Sequence, residues 1–379
     1  MSPSVSSHAH PPESPQDAAR QTAGLLSAEL PGLTLETAQV LELARGGLAR
    51  VIRIFDDELR SDLPEVAALV SLVERYRGKM LRPILTLVVG LASQPDEESR
   101  ATLDALSDEH YVSAAVIEMV HMATLVHDDV LDEADVRRRG PTINRLHGNE
   151  PAVILGDLLI ASAYHLCSRL ANPEAARMVA RASVVTATGE LLQLHHRGDF
   201  ALSEATYARI IAGKTAELIA TAAELGAWAA SATAEVRAAS RAYGLAIGSA
   251  FQIQDDILDL LGDQASVGKS VGKDFEKGKM TLPAICRLAG FGPPGVVGPE
   301  GGAQRSVFLD LLERATHAGD TSAASELAKD LVKSGAVDAA RRRAGEWIAQ
   351  AKASLSAFEP SAARSALEVM ADAVLSRQS

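Results

Sequence analysis

Apolar residues recur every three or four positions along nearly the whole chain from Thr34 onward, and this spacing decides the fold class. It is the period of an amphipathic α-helix with one buried side. No segment alternates convincingly with period two, the pattern of a half-buried strand. The chain is therefore predicted to be all-α, a single-domain helical bundle. The predicted helical segments are 35–59, 64–94, 100–133, 150–171, 173–195, 203–230, 233–262, 281–290, 305–317, 321–333, 335–357 and 360–376.

Composition supports closely packed helices. Apolar residues make up 47% of the chain but aromatic residues only 4%, and alanine is abundant, which suits helices better than β-sandwiches or barrels. Residues 1–24 are rich in proline and serine and are predicted to be a disordered extension of a domain that covers 25–379. A Gly/Pro-rich stretch near 290–304 lacks charges suited to catalysis and is predicted to be a surface insertion between helices.

Charge and cysteine content limit the partners and the compartment. The net charge of −12 and the pI near 5.4 argue against nucleic acid. The two cysteines, Cys167 and Cys286, lack metal-ligand spacing and are predicted to be core thiols of a cytosolic protein. The first residues do not resemble a signal peptide, and no run approaches the ~18 apolar residues of a spanning helix. A cytoplasmic protein without a membrane span is expected.

Two aspartate clusters of identical spacing are the candidate functional residues. In a helix, positions four apart lie on one face, so the first and last aspartate of each cluster point the same way. One such cluster could be a solvated acidic face. Two clusters inside apolar sequence favour metal, because buried like charges repel unless a cation compensates them. Mg²⁺ is expected, held by one or two carboxylates plus substrate phosphates. The clusters are Asp128-Asp129-Val130-Leu131-Asp132 and Asp255-Asp256-Ile257-Leu258-Asp259.

Basic residues near both clusters could bind those phosphates. An arginine triplet that includes Arg137 and Arg138 follows the first cluster, and guanidinium groups bind phosphate bidentately. A glycine-rich stretch with Lys269 and Lys279 follows the second cluster and is predicted to be a mobile basic lid. Taken alone, an arginine triplet can equally be a solvated turn.

Three weaker signals lie elsewhere in the sequence. Lys79 and Arg82 are three apart and share a face if they are helical. His121 lies two helical turns before Asp128 on the same face, where a histidine is by itself more often a core residue. Lys214-Thr215 is weaker still.

Taken together, these residues resemble the trans-isoprenyl diphosphate synthases, also called the polyprenyl synthetase family, over nearly the whole chain from Gly78. The resemblance implies a helical bundle of the isoprenoid synthase type around a central cavity. It rests on several ordered motifs: Gly78-Lys79-x-Leu81-Arg82-Pro83, the first aspartate cluster with its arginines, Gly156-Asp157, Lys214-Thr215, Phe251-Gln252 with the second cluster, and Gly268-Lys269 through Thr281-Leu282-Pro283.

The resemblance also implies an activity, a Mg²⁺-dependent condensation of isopentenyl diphosphate with an allylic diphosphate by a homodimer. Three Mg²⁺ ions would be held by Asp128, Asp132 and Asp255, with Asp129, Asp256 and Asp259 in support. The allylic diphosphate would contact Arg137, Lys214, Gln252, Lys269 and Lys279. Thr215 would be a further substrate-binding residue. Isopentenyl diphosphate would contact Lys79, Arg82, His121 and Arg138.

The resemblance implies that product length is set by the residues one turn below the first cluster, here Ala123 and Thr124. Family members that stop at fifteen carbons carry bulky aromatic residues there, so this small pair implies a longer, linear all-trans product. A geranylgeranyl diphosphate synthase is the alternative. A class I terpene cyclase would not need the second set of diphosphate ligands, and an inactive partner subunit would usually have lost aspartates that this chain keeps.

Overall fold

The computed structural model describes residues 34–137, 140–262, 272–290, 299–317 and 320–377. Within them the chain is almost entirely helical, which confirms the all-α prediction. The helices are α1 Leu35–Glu58, α2 Pro64–Val73, α3 Leu81–Ala92, α4 Glu97–Arg100, α5 Asp108–Leu131, α6 Ile143–His147, α7 Asn149–Ser168, α8 Glu174–His195, α9 Glu204–Ile211, α10 Glu217–Ala229, α11 Ala234–Leu261, α12 Lys273–Glu276, α13 Leu282–Gly290, α14 Pro299–His317, α15 Thr321–Lys333, α16 Ala336–Ser354 and α17 Ala362–Ser376. A two-stranded antiparallel ribbon, β1 Val136–Arg137 and β2 Gly140–Pro141, follows α5.

Helices α5 and α11, which carry the two aspartate clusters, lie at the centre of the bundle. Helix α5 packs against α3, α7 and α10, and α11 packs against α10 and α16. Most of α5 is buried, from Tyr111 through Met122 to Val126. The clusters therefore stand at the ends of rigid core helices, a setting that holds side-chain positions better than loops do.

Small residues let these helices approach one another closely. A Cβ on Gly226 of α10 would lie 2.3 Å from the carbonyl oxygen of Thr86 in α3, and one on Gly244 of α11 would lie 2.6 Å from the Cα of Ala220. On α7, Gly156 leaves room for the ring of His127, whose Nε2 would lie 2.1 Å from an added Cβ. Close approach through glycine and alanine is how a chain with few aromatic residues fills its core.

The predicted helix over 64–94 is wrong in its middle. Helix α2 ends at Val73, a 3₁₀ turn follows at Glu74–Tyr76, and α3 begins only at Leu81. Met80, just before α3, has a φ of 50°, in the left-handed region that strains residues other than glycine. Apolar spacing continues across the break and so does not reveal it. Lys79 therefore precedes the helix, and the predicted shared helical face with Arg82 is also wrong.

The far end of the surface insertion predicted near 290–304 is helical, and the insertion itself stays a prediction. Helix α14 begins at Pro299, because proline is tolerated in a first helical turn, where its missing N–H has no intrahelical partner. Residues 291–298 lie outside the described part of the chain, as do the predicted disordered extension over 1–24 and positions 263–271 of the predicted lid.

Helix α7 is long and apolar enough, by length and composition alone, to cross a membrane. Polar residues interrupt its apolar run, so the sequence shows no unbroken stretch of ~18 apolar residues here. Helix α7 packs against α5 and buries Leu155 and Leu159. It also exposes Val153, Ile154 and Leu158.

Candidate functional site

The two aspartate clusters lie at the carboxyl ends of their helices. Asp132 is the C-cap of α5, and Asp259 lies two residues before the end of α11. The helix macrodipole places partial negative charge at these ends, so clustered carboxylates there are unfavourable without cations. The clusters are therefore suited to receiving positive charge.

The first and last aspartates of the first cluster contact lysines from other elements. Lys214 Nζ lies 3.9 Å from Asp128 Oδ2 and also pairs with Glu190. Lys279 Nζ donates to Asp132 Oδ2 at 3.1 Å, and Lys277 Nζ lies 2.9 Å from the same atom. Lys279 follows the second cluster in sequence, so this contact brings the segments next to both clusters together.

These surroundings shift the pKa values of the Asp128 and Asp132 carboxyl groups in opposite directions. Burial raises the pKa of Asp128 above its usual value, with Lys214 opposing the shift. Burial also acts to raise the pKa of Asp132, but Lys279 and Lys277 outweigh it, so that pKa is lowered. Asp132 is therefore the more firmly ionised of the two.

The second cluster has a different set of partners. Arg377 Nη1 donates to Asp255 Oδ1 at 2.7 Å, and its guanidinium lies 4.1 Å from the centre of the Phe251 ring. The backbone N–H of Asp274 donates to Asp259 Oδ2 at 3.2 Å. Burial and then the Asp274 carboxylate raise the pKa of Asp259 to about 6. A cation placed here would relieve this accumulation of negative charge.

The middle aspartate of the first cluster is buried away from the cleft. Asp129 is 1% exposed and accepts a hydrogen bond of 2.8 Å from the Tyr76 hydroxyl. The guanidinium of Arg137 binds the same carboxylate, with Nε at 2.9 Å and Nη2 at 2.8 Å. Arg137 was predicted to contact the allylic diphosphate, and that role stays a prediction.

The middle aspartate of the second cluster is held in the same way. Asp256 accepts a hydrogen bond of 2.6 Å from the Tyr207 hydroxyl and one of 3.0 Å from Gln252 Nε2. The Thr215 hydroxyl donates to Gln252 Oε1 at 2.8 Å. Burial and then Asp274 raise the pKa of Asp256 to about 8. These groups line a cavity of about 90 Å³ that also reaches Lys214 and Lys279.

A π-helical turn at Ala212–Ala216 places Lys214 in the cleft. π-Helical turns are rare and occur mostly as single turns inside α-helices. They are frequent at functional sites. Gly189 of α8 makes room for it, because an added Cβ would lie 2.4 Å from the backbone nitrogen of Lys214. Gly213 lies in the same contact. The direction of the Lys214 side chain thus depends on the contact between Gly189 of α8 and Gly213 of the turn.

The residues predicted to bind a second diphosphate lie along α3 and α5. Burial lowers the pKa of Arg82, with the Glu118 and Asp255 carboxylates opposing the shift. The buried Nε of Arg82 has no hydrogen-bond partner within the described ranges. A buried donor without a partner costs stability, which an anion in the cleft would recover. Lys79 is exposed in the turn before α3, and His121 lies two turns before Asp128 on α5.

Comparison with known proteins identifies the family of this chain. The polyprenyl synthetase family model matches residues 65–292. A nonaprenyl diphosphate synthase of Mycobacterium tuberculosis is 36% identical over 264 residues, 69% of this chain and 75% of that protein. An all-trans-nonaprenyl-diphosphate synthase (geranyl-diphosphate specific) of Rhodobacter capsulatus is 34% identical over 324 residues, 84% of this chain and 93% of that protein. The chain belongs to the polyprenyl synthetase family.

A solved relative extends the match to the whole fold. The polyprenyl synthase of Caulobacter crescentus, in complex with calcium and isoprenyl diphosphate, aligns with a TM-score of 0.77 at 36% identity and covers 90% of this chain and 98% of that chain. The predicted isoprenoid synthase fold and the enzyme class, a prenyltransferase, are thus confirmed.

The donor set of this polyprenyl synthetase fits a hard divalent ion that shares its ligands with a substrate. Within the described ranges, no three His, Cys, Asp or Glu side chains are grouped so as to hold a metal ion. Paired carboxylates on two sides of a cleft match Mg²⁺, which takes one or two carboxylates and completes its shell with phosphate oxygens. Calcium, found with isoprenyl diphosphate in the Caulobacter relative, is likewise a hard ion with oxygen ligands.

Several predicted residues remain untested. Arg138 and Lys269 lie outside the described residues. Ala123 is fully buried, and the Thr124 hydroxyl donates to the carbonyl oxygen of His121 at 2.8 Å. Their influence on product length stays a prediction.

Sequence reasoning missed five residues that the structure brings to the clusters. Their side chains come from distant parts of the chain, and no local motif marks them. A lone glutamate, tyrosine or arginine at such separations gives no periodic signal, although a Gly-Glu dipeptide in α8 could have drawn attention. The residues are Tyr76, Glu190, Arg197, Tyr207 and Arg377.

Proposed function

We propose that this polyprenyl synthetase condenses isopentenyl diphosphate with an allylic diphosphate, using Mg²⁺, to give a linear all-trans polyprenyl diphosphate longer than fifteen carbons. The observation that carries the proposal is that Lys214 and Lys279, which contact the first aspartate cluster, also line the cavity that reaches Asp256 of the second cluster. The nonaprenyl diphosphate synthases at 36% and 34% identity support a long product over the geranylgeranyl alternative.

Three Mg²⁺ ions at Asp128, Asp132 and Asp255 would act as Lewis acids toward the diphosphate that leaves the allylic substrate. Lys214 and Lys279 lie beside the first two of these carboxylates and would stabilise the charge that develops on the same diphosphate. No nucleophilic side chain is required, because the alkene of isopentenyl diphosphate forms the new carbon–carbon bond. The condensed cation then loses a proton to the released diphosphate, which gives the lengthened prenyl diphosphate.

The second diphosphate site is proposed at Arg82, with Lys79 and His121. Its main support is the buried Nε of Arg82 without a partner inside the described part of the chain. A terpene cyclase uses one allylic diphosphate and has no need for a buried arginine here. The allylic cation must also be kept from water, and the apolar core helices around the cleft serve that purpose.

We further propose a homodimer through α7 and α8. Helix α7 exposes Val153, Ile154 and Leu158, and α8 exposes Val184 and Leu191. Ile154, Val184 and Leu191 are the most exposed of these, at 66–67% accessible. Adjacent helices with exposed apolar side chains mark an interaction surface, and a second copy of the same chain fits two such faces. Covering this surface also suits a cytoplasmic enzyme better than membrane insertion of α7.

The dimer is tested by replacing Ile154 and Leu191 together with glutamate and measuring the mass by light scattering. A monomer is expected, because buried charges would be unpaired. The control is Val332→Glu, which changes an exposed valine on α15. A dimer that persists in the double variant would place the interface elsewhere.

The activity is tested with purified protein, Mg²⁺, isopentenyl diphosphate and each allylic primer in turn, with products sized after dephosphorylation. Chains longer than fifteen carbons are expected. A twenty-carbon end product would select the geranylgeranyl alternative. A cyclic hydrocarbon from the primer alone would select a cyclase, and no product with any primer would favour an inactive partner subunit.

A further inference from the structure

The two aspartate clusters share a feature that their sequences do not display. In each, the middle carboxylate is buried and accepts a hydrogen bond from a buried tyrosine. The Tyr76 and Asp129 side chains meet at 2.8 Å, and the Tyr207 and Asp256 side chains meet at 2.6 Å. Each tyrosine precedes its aspartate by a similar distance in sequence, 53 and 49 positions. The same contact has thus been built twice, from unrelated local sequence.

Helix geometry explains what these contacts can do. Neighbouring helical residues point about 100° apart, so an aspartate that faces the core fixes the direction of the aspartates beside it. The outer carboxylates of each cluster repel one another and lie at the unfavourable end of the helix dipole. Without an anchor, these helix ends would relax by turning or fraying. A hydrogen bond in a buried, low-dielectric setting resists both motions.

The tyrosines also tie the clusters to neighbouring elements. The Tyr76 hydroxyl accepts from the backbone N–H of Ile143, the first residue of α6, at 3.2 Å. Tyr207 lies on α9, which runs directly into the π-helical turn that carries Lys214. Each hydroxyl therefore connects a cluster to a second element at the cleft.

We propose that Tyr76 and Tyr207 are positioning residues that hold the two carboxylate pairs in the direction needed to bind metal and diphosphate. The proposal rests on the proposed function, since it assumes that those pairs bind metal. The two anchors differ in strength of support. Asp129 keeps the charged guanidinium of Arg137 if the tyrosine hydroxyl is lost, whereas Asp256 keeps neutral donors, the amide of Gln252 and the backbone N–H of Leu282. Loss of the Tyr207 hydroxyl should therefore matter more.

The test compares Tyr207→Phe with Tyr243→Phe. Tyr243 lies on α11, the helix that carries the second cluster, and is fully buried, and its hydroxyl donates to the Leu367 carbonyl oxygen at 2.6 Å. Both variants lose one buried hydroxyl and keep the ring, but only Tyr207 contacts an aspartate of the cluster. Binding of Mn²⁺ with inorganic diphosphate is measured by electron paramagnetic resonance, and folding by thermal melting.

Tyr207→Phe should weaken Mn²⁺ binding by about tenfold or more. This is the usual effect of removing a side chain that holds metal ligands in position. Tyr243→Phe should change the Mn²⁺ affinity by less than about twofold, even if its melting temperature falls as much as that of Tyr207→Phe. Tyr76→Phe should lie between them. In turnover assays, the Mg²⁺ requirement of Tyr207→Phe should rise while the Michaelis constant for isopentenyl diphosphate stays unchanged.

Direct measurement of metal binding distinguishes failure of the positioning role from failure of the proposed function. Equal Mn²⁺ affinity in wild type and Tyr207→Phe, or an equal loss in Tyr243→Phe, would overturn the positioning role. Wild-type protein that binds Mn²⁺ with diphosphate but forms no prenyl product would overturn the proposed function alone. Wild-type protein that binds no Mn²⁺ would overturn both.

Discussion

At the scale of single residues, each carboxylate proposed to bind metal directly already has a cationic partner within the protein. Asp128 is beside Lys214, Asp132 beside Lys279, and Asp255 beside Arg377. A metal ion that arrives at these carboxylates has to displace the cations. The freed lysines would remain close enough to bind the diphosphate that accompanies the metal, which couples the binding of the two ligands.

Arg377→Ala tests this displacement. Removing the guanidinium leaves Asp255 without its 2.7 Å ion pair, so Mg²⁺ measured by calorimetry without substrate should bind several-fold more tightly. Arg364→Ala, on the same helix but paired with Glu368, is the control and should bind Mg²⁺ as wild type does. Unchanged or weaker binding in Arg377→Ala would show that the arginine does not compete with the metal.

Arg82→Ala separates the two diphosphate sites. The apparent Michaelis constant for isopentenyl diphosphate should rise far more than that for the allylic primer, because a phosphate contact is lost at only one site. Lys214→Ala should show the opposite preference, since Lys214 lies 3.9 Å from Asp128. Steady-state kinetics with each substrate varied in turn gives both constants. Equal effects on both substrates would mean that the basic residues have been assigned to the wrong diphosphate sites.

At the scale of elements, the sequence predicted most helices because their apolar period is visible locally. It did not predict the break between α2 and α3, where apolar spacing continues through the turn at Glu74–Tyr76. It also did not predict the π-helical turn at Lys214, which depends on contact with Gly189 of α8. The aspartates were found because their spacing repeats, whereas Tyr76 and Tyr207 are brought to them only by the fold.

Gly189→Ala tests the contact that aims Lys214. A Cβ 2.4 Å from the backbone nitrogen of Lys214 cannot fit without displacing the turn, so both melting temperature and turnover should fall. Gly345→Ala on α16 is the control. Nothing lies within 4 Å of its added Cβ, and helix propensity should stabilise it by about 0.5–1 kcal/mol. Normal turnover in Gly189→Ala would show that the turn tolerates a shift.

The proposed tail path along α5 is tested by replacing Ala123 and Thr124 together with phenylalanine. Two rings added to a closely packed helical core cannot be accommodated without strain, so a growing chain should be blocked below the metals. Products should shift toward fifteen carbons, as sized by chromatography after dephosphorylation. Because Ala123 is fully buried, the single variant Thr124→Phe serves as the milder test. Unchanged products from a folded, active double variant would mean that the tail runs elsewhere.

At the scale of the whole molecule, the bundle joins an acidic cleft to an apolar interior. Helices α5 and α11 carry the carboxylates at their ends and bury most of the residues from Tyr111 to Val126 on one and from Tyr243 to Ile257 on the other. This arrangement lets one end of a substrate meet metals and cations while the other meets hydrocarbon. It suits the proposed lengthening of a prenyl chain, in which the diphosphate stays in place and the tail grows.

The most direct test of this account is the Mg²⁺-dependent incorporation of labelled isopentenyl diphosphate by wild type and by Asp255→Ala, with the fold of the variant verified by circular dichroism. Wild type should form prenyl products only with a divalent ion. The variant should lose about a thousandfold or more in turnover, because the missing carboxylate acts chiefly as charge develops in the transition state. Near-normal turnover in folded Asp255→Ala, or condensation that persists with excess chelator, would contradict the account.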